Sequence, residues 1–231
     1  MKISIVIPTL NHLDDLLKPC IEGLKAQTDF AAADAEVIVV ANGCKDGTRD
    51  FVESLGPPFK LLSFPEPMGY TKAMNAGVCA ASGEFVVPFN NDIVLLDWGK
   101  KNIWLEIMGK PFEGDPKVAI TGPSRMFRAH KPFIVFYCCM IRRKLILEAG
   151  MLDEIFSPGA GEDTDFCMKV LEKGYKVVQV PHEGDDKAYL IPFPIWHKGG
   201  STVNEVPGWP DIIARNEKIL QSRYGMGTSL S

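Results

Sequence analysis

Short runs rich in apolar and β-branched residues at positions 3–7, 37–40, 60–64 and 84–88 alternate with segments of helical periodicity, and no other feature narrows the fold as much. Ile3-Ser4-Ile5-Val6-Ile7 is apolar almost without alternation, as expected of a strand covered on both faces in a parallel sheet. Leu13, Leu16, Leu17, Cys20, Ile21 and Leu24 then recur at helical spacing, with Asp14 and Asp15 in the first turn. A turn-rich break at 41–48 leads into a short helix through Leu55, and the small residues from Gly69 to Ala81 read as a further helix stopped by Gly83. This β-α-β-α-β-α-β order predicts an α/β fold: a Rossmann-like, mostly parallel sheet flanked by helices, with right-handed crossovers.

Beyond Leu96 the rhythm loosens. The pattern predicts helices over 97–108, 142–149, 162–173 and 211–224, and strands over 118–121, 133–141 and 176–180. Residues 125–132 read as a basic loop containing Arg125, Arg128, His130 and Lys131. Residues 181–210, rich in Pro, Gly and charge, read as irregular, and the tail after Gly225 as frayed. No repeat, low-complexity tract or long linker divides the 231 residues, so one domain with two halves is expected, meeting near residues 96–97.

A net charge of −4 lacks the basic balance of a general nucleic-acid binder. The cysteines form no Cys-x-x-Cys pair, and all but Cys44 lie in apolar sequence, so they are expected to be reduced core thiols of a cytoplasmic protein. Met1-Lys2 leads into the first strand without a charged leader, so no signal peptide is expected. The longest apolar run, 133–141, falls well short of the ~20 residues of a membrane helix. A soluble protein is expected, with room for peripheral contact with a membrane surface.

Four constellations could carry chemistry. Between two apolar runs, Phe89-Asn90-Asn91-Asp92 places two amides and one carboxylate. They would have no partners in a core, and the C-terminal edge of a parallel sheet is where open α/β folds bind ligands. One carboxylate among amides is a hard-oxygen environment suited to Mg²⁺ or Mn²⁺ held largely by a ligand's own phosphates, while the plainer reading is a polar turn. Pro8-Thr9-Leu10-Asn11 and Asn42 end the first two strands; turn chemistry explains them, and so would amide edges offered to a base. Gly161-Glu162-Asp163-Thr164-Asp165 crowds acids at a helix start, where they favour the dipole or, crowded together, raise one pKa enough to make a general base. Trp196-His197-Lys198-Gly199-Gly200-Ser201 sets a histidine in a Gly-rich segment with little core to bury it, suiting a late metal ligand, with Lys198 as a phosphate counter-charge. His12, His130 and His182 have less convergent surroundings and read as surface or substrate-side residues.

Taken together, these residues and their order resemble an inverting glycosyltransferase of family 2 with the GT-A fold, closest to rhamnosyltransferase-like and other polysaccharide-biosynthesis members. The matching pieces are Ser4–Asn11, Val39–Thr48, Gly69 with Asn75-x-Gly77, Phe89–Asp92, Glu162-Asp163-x-Asp165, and His197 with Gly200-Ser201. The resemblance implies a nucleotide-binding half over about 1–96 and an acceptor and catalytic half over about 97–225. It implies a nucleotide-diphosphate sugar as donor, bound by Pro8, Thr9, Asn11, Asn42, Lys72, Asn90 and Asn91. It further implies a divalent cation on Asp92 and His197, and a catalytic base in Asp163 or Glu162. The acceptor would be a glycan or glycolipid-type hydroxyl, framed by residues 125–131, 133–143 and 181–194. Where many members carry Asp-Asp or Asp-Asn, this chain has Ala41-Asn42, which leaves the base open among uracil, thymine and guanine. Two other readings stand beside this one. A non-catalytic carbohydrate- or partner-binding relative would suit the single-acid metal motif. A sugar-phosphate nucleotidyltransferase would need a Gly-rich basic loop after the first strand, which Pro8-Thr9-Leu10-Asn11 is not.

Overall fold

The computed structural model describes residues 1–181, 192–201 and 206–225. The chain runs β1 (Ile3–Thr9), α1 (Lys18–Gln27, entered through a π-helical turn at Leu13–Leu17), β2 (Ala35–Asn42), α2 (Thr48–Leu55), β3 (Phe59–Phe64), α3 (Tyr70–Ala80) and β4 (Phe85–Pro88). It continues through β5 (Ile93–Leu95), α4 (Ile103–Gly114), β6 (Val118–Gly122), β7 (Arg125–Arg128), β8 (Lys131–Ile134), β9 (Met140–Arg142) and α5 (Arg143–Ala149). Then come α6 (Glu162–Glu172), β10 (Lys176–Gln179), β11 (Ile195–His197) and α7 (Trp209–Tyr224).

The central sheet is seven-stranded, in the order β10-β6-β9-β4-β1-β2-β3. Its neighbours pair parallel except β9, which runs antiparallel between β4 and β6. Every residue of β1 is buried, as its unbroken apolar run predicts. Alternate residues serve opposite layers. Ile3, Ile5 and Ile7 pack with Leu17, Ile21 and Trp104, while Val6, Ile38 and Val40 pack with Met74, Val78 and Phe166 on the other face. Burying each such side chain contributes about 1.5–3 kcal/mol against leaving it in water. Gly77 brings α3 onto this second face: a Cβ there would lie 2.2 Å from Val6 Cγ1. Asn75, two residues earlier on α3, exchanges hydrogen bonds with the backbone of Leu152 and so ties the first half to the segment before α6.

The second half departs from expectation in four places. The helix expected over 97–108 begins only at Ile103, because Gly99 and Asn102 take positive φ, which a helix interior does not accept. The basic loop is a hairpin, β7 against β8, turning through Ala129 and His130 at positive φ. The strand expected over 133–141 is two strands, β8 and β9, separated by an irregular stretch that carries Phe136 and Tyr137. Within the stretch expected to be irregular, β11 pairs antiparallel with β5, and α7 starts at Trp209. Most of residues 181–194, including His182, and the tail after Gly225 lie outside the described residues. Cys79 is exposed rather than in the core. Among the described residues, no helix is long and apolar enough to cross a membrane.

Candidate active site

The C-terminal ends of β1, β2 and β4 open into a cavity of about 770 Å³, in the range of small-molecule sites. A more open groove of about 560 Å³, between α7 and Ile155, contains none of the candidate side chains. Of the residues singled out in the sequence, Pro8, Thr9, Asn42, Asn90, Asn91, Asp92, Glu162, Asp163 and His197 line the larger cavity, while Asn11 and Lys72 do not.

On the strand-edge side, loops hold one another in place. Asn91 Nδ2 donates to Thr9 Oγ1 at 2.9 Å, locking the turn after β4 to the end of β1. Asn42 Oδ1, read in the sequence as an acceptor for the base, already accepts from Met68 N at 2.8 Å. Asn11 has a structural part: its Oδ1 accepts from Lys45 N at 2.7 Å and its own N–H donates to Cys44 Sγ. Asp46, which the sequence reading passed over as a turn residue, accepts from Leu13 N, Thr48 N and Thr48 Oγ1, closing the two helix-leading loops together. Those bonds hold its carboxyl below the usual range despite partial burial. Lys72 is exposed on α3.

Asp92 and His197 meet across the pairing of β5 with β11. His197 Nε2 stands 3.1 Å from Asp92 Oδ1, within ion-pair distance. Burial raises the Asp92 pKa, but His197 and then Ser201 more than offset it, and the carboxyl stays ionised. Tyr137 stacks on the His197 ring at 4.4 Å between centroids and an interplanar angle of 23°. Asn90 Oδ1 is buried and makes no hydrogen bond among the described residues. A carboxylate, an imidazole and an amide oxygen with unused lone pairs suit a divalent cation. Among the described residues no third His, Cys, Asp or Glu joins them, so a cation here needs oxygens from its ligand.

Across the cavity, α6 presents its first turn, and the three acids of the sequence motif divide. Asp165 is fully buried and turns away, pairing with Lys169 and Arg223, each at 2.8 Å, and accepting from Tyr224 Oη. Glu162 and Asp163 face the cavity. Burial first, and the neighbouring Asp163 charge second, push the Glu162 carboxyl up to about 8. Burial also raises Asp163, against hydrogen bonds from Thr164 and from the Phe136 backbone. Glu162 Oε2 makes no hydrogen bond among the described residues. The site therefore sets one ionised carboxylate, Asp92, across from two that are reluctant to ionise, the separation of roles that acid–base chemistry needs.

The cavity also takes in Met68, Tyr70 and Trp209, which the sequence reading left out, and Phe136 and Tyr137, which it named only within the stretch 133–143 expected to frame the acceptor. Phe136 and Tyr137 were hidden inside an apparent strand, and Trp209 inside an apparent irregular segment.

Comparison with known proteins agrees with this geometry. The model of glycosyl transferase family 2 matches residues 4–132. The bactoprenol glucosyl transferase of Shigella phage SfV is 28% identical over 96 residues, covering 40% of this chain and 31% of that protein. Among solved structures, a mannosyltransferase from Pyrobaculum calidifontis in complex with GDP-Man and Mn²⁺ superposes with a TM-score of 0.65 at 20% identity, over 81% of this chain and 58% of that one. S. aureus TarS superposes with a TM-score of 0.63 at 18% identity, over 96% of this chain and 39% of that one. The matches span 23% and 31% of the length of two such curated relatives. The sheet order, the cavity at its C-terminal edge and the match over more than half of its length agree: the chain belongs to glycosyl transferase family 2 and has the GT-A fold.

Proposed function

We propose that the protein transfers a sugar from a nucleotide-diphosphate sugar to an acceptor hydroxyl, with inversion at the anomeric carbon. One observation carries the reading. Buried polar atoms of Asn90 and Glu162 that make no hydrogen bond among the described residues share one cavity at the sheet edge with the facing pair of Asp92 and His197, drawn from separate segments. Unsatisfied buried polar groups are costly, and a ligand that pairs them is the usual reason they persist.

Thr9 and Asn42 lie where the nucleoside would sit, and Asp92 with His197 would hold Mn²⁺ or Mg²⁺. The cation, when bound, supplies charge stabilisation to a leaving diphosphate. The protein's own part is on the opposite wall. Asp163, with its raised pKa, takes the proton from the acceptor hydroxyl, and the oxygen attacks the anomeric carbon from the face opposite the diphosphate. Glu162, held largely protonated at neutral pH, keeps a second negative charge out of the site. Tyr70, Phe136, Tyr137 and Trp209 exclude water from the reacting centre. The name of the phage relative supports a lipid-linked acceptor, as in the building of surface polysaccharide.

The test is turnover with UDP-, TDP- and GDP-sugars, with and without Mn²⁺ or Mg²⁺, reading nucleoside diphosphate release and the anomeric configuration of the product by NMR. Metal-dependent release of nucleoside diphosphate with an inverted product is the expected result. A product of retained configuration overturns the mechanism. Pyrophosphate released from a nucleoside triphosphate and a sugar phosphate points to nucleotidyl transfer instead, and no thermal shift with any donor points to a binding protein.

A further inference from the structure

Residues 153–161 and the acids that follow are held from behind by α7, a helix that the family-model match at 4–132 does not reach. Asn216 is 2% exposed. Its Nδ2 donates to the carbonyls of Phe156 (3.2 Å), Gly159 (2.9 Å) and Ala160 (2.7 Å). Arg215 Nε donates to Asn216 Oδ1 at 2.9 Å, orienting the amide, and its Nη2 reaches the carbonyls of Ile155 and Ser157 at 3.2 and 2.7 Å. One and two turns on, Leu220 packs where a Cβ on Gly161 would fall, 3.2 Å away, and Arg223 pairs with Asp165. Positions 216, 220 and 223 form one stripe of a helix.

The held loop is a wall of the cavity: Ser157, Pro158, Gly159 and Ala160 line it. Its other side is pinned to α3, where Tyr70 N donates to Pro158 O at 2.7 Å. The loop ends at Gly161, with φ 99°, and the next residues are Glu162 and Asp163. Asn216 is the side chain that ties the carbonyls of Phe156, Gly159 and Ala160 together, so without it the loop that aims the acids loses that brace.

We propose that Asn216, oriented by Arg215, is a positioning residue that holds loop 155–160 so that Asp163 lies in reach of the acceptor hydroxyl. The inference rests on the function proposed above. Asn216 itself does not line the cavity. Displacing a reacting group by about 1 Å costs on the order of 10²-fold in rate.

The experiment compares wild type, Asn216→Ala, Arg215→Ala and Arg215→Lys, measuring kcat, donor KM, the Mn²⁺-dependent thermal shift with donor, and the pH profile. Asn216→Ala should lose ~10²-fold in kcat, with donor KM held within about twofold, because the strand-edge side is untouched. Arg215 is exposed, so Arg215→Ala should fold; it should lose about tenfold in kcat, and Arg215→Lys should regain part of it. In both alanine variants the rising limb of the pH profile should move toward acid, as the loosened loop lets water reach the acids. Wild-type kcat in Asn216→Ala overturns the inference, as does wild-type kcat in Arg215→Ala should the first variant fail to fold. An equal loss of kcat and of donor affinity overturns it as well, because that marks a general structural defect. If wild type turns over no donor, the proposed function and this inference fall together; an active wild type with unaffected variants sinks this inference alone.

Discussion

The two walls of the cavity are built by different means. The strand-edge wall, with Thr9, Asn42, Asn91 and Asp92, hangs from consecutive parallel strands, and its side chains bond mainly to one another's loops. The acid wall, with Glu162 and Asp163, is the start of one helix, braced by a second helix more than forty residues further along the chain. The first wall is positioned by backbone ladders that also make the core. The second depends on a few side-chain hydrogen bonds and ion pairs. Damage to the first should therefore show in donor and metal binding, and damage to the second in turnover.

The sharpest way to break this comparison is Asp163→Asn. It should lower kcat by ~10³-fold, the scale of general-base catalysis, while the Mn²⁺-dependent thermal shift with donor survives. Wild-type turnover would remove Asp163 from the reaction. On the other wall, Asp92→Ala should weaken metal-dependent donor binding by ~10–100-fold, read by titration calorimetry. Unchanged affinity would show that the cation sits elsewhere. Gly77→Ala acts on neither wall. Its methyl would fall 2.2 Å from Val6 Cγ1, so the protein should lose about 1–3 kcal/mol in a urea melt with little change in the KM of what remains folded.

The last test concerns pH. Glu162 ionises at about 8 in the folded chain, against ~4.3 in the unfolded one, so the native state holds the proton more tightly. The stability from this group is fully present below the unfolded value and is lost as pH rises toward the folded one. Between about pH 4.3 and 8 the melting temperature of wild type should fall relative to that of Glu162→Gln, and parallel curves would refute the burial of this charge.

The strand-edge wall was readable because parallel strands announce themselves. A both-faces-buried strand must be a continuous apolar run, so an amide or carboxylate that interrupts the pattern at its end, as Asn90-Asn91-Asp92 does after Phe89, points to the ligand edge. Even there the reading went no further than residue type. That Asn11 holds Lys45, and that Asn42 Oδ1 is taken by Met68 N, follow from how two loops cross in space. The acid wall was readable only as a cluster. Nothing in Glu162-Asp163-Thr164-Asp165 says which acid turns inward, since a helix start tolerates all of them and successive residues differ by about 100° in direction.

What the sequence by itself determined is thus the class of fold and the places where polar groups interrupt buried strands, because both follow from local periodicity and from the cost of burying unpaired polar atoms. Only the tertiary structure decided that Asp165 serves α7 rather than the cavity, that His197 reaches Asp92 through the pairing of β5 with β11, and that Tyr137 and Trp209 close the site. Those outcomes come from contacts between residues far apart in the chain, whose geometry is set by packing and leaves no mark on local composition.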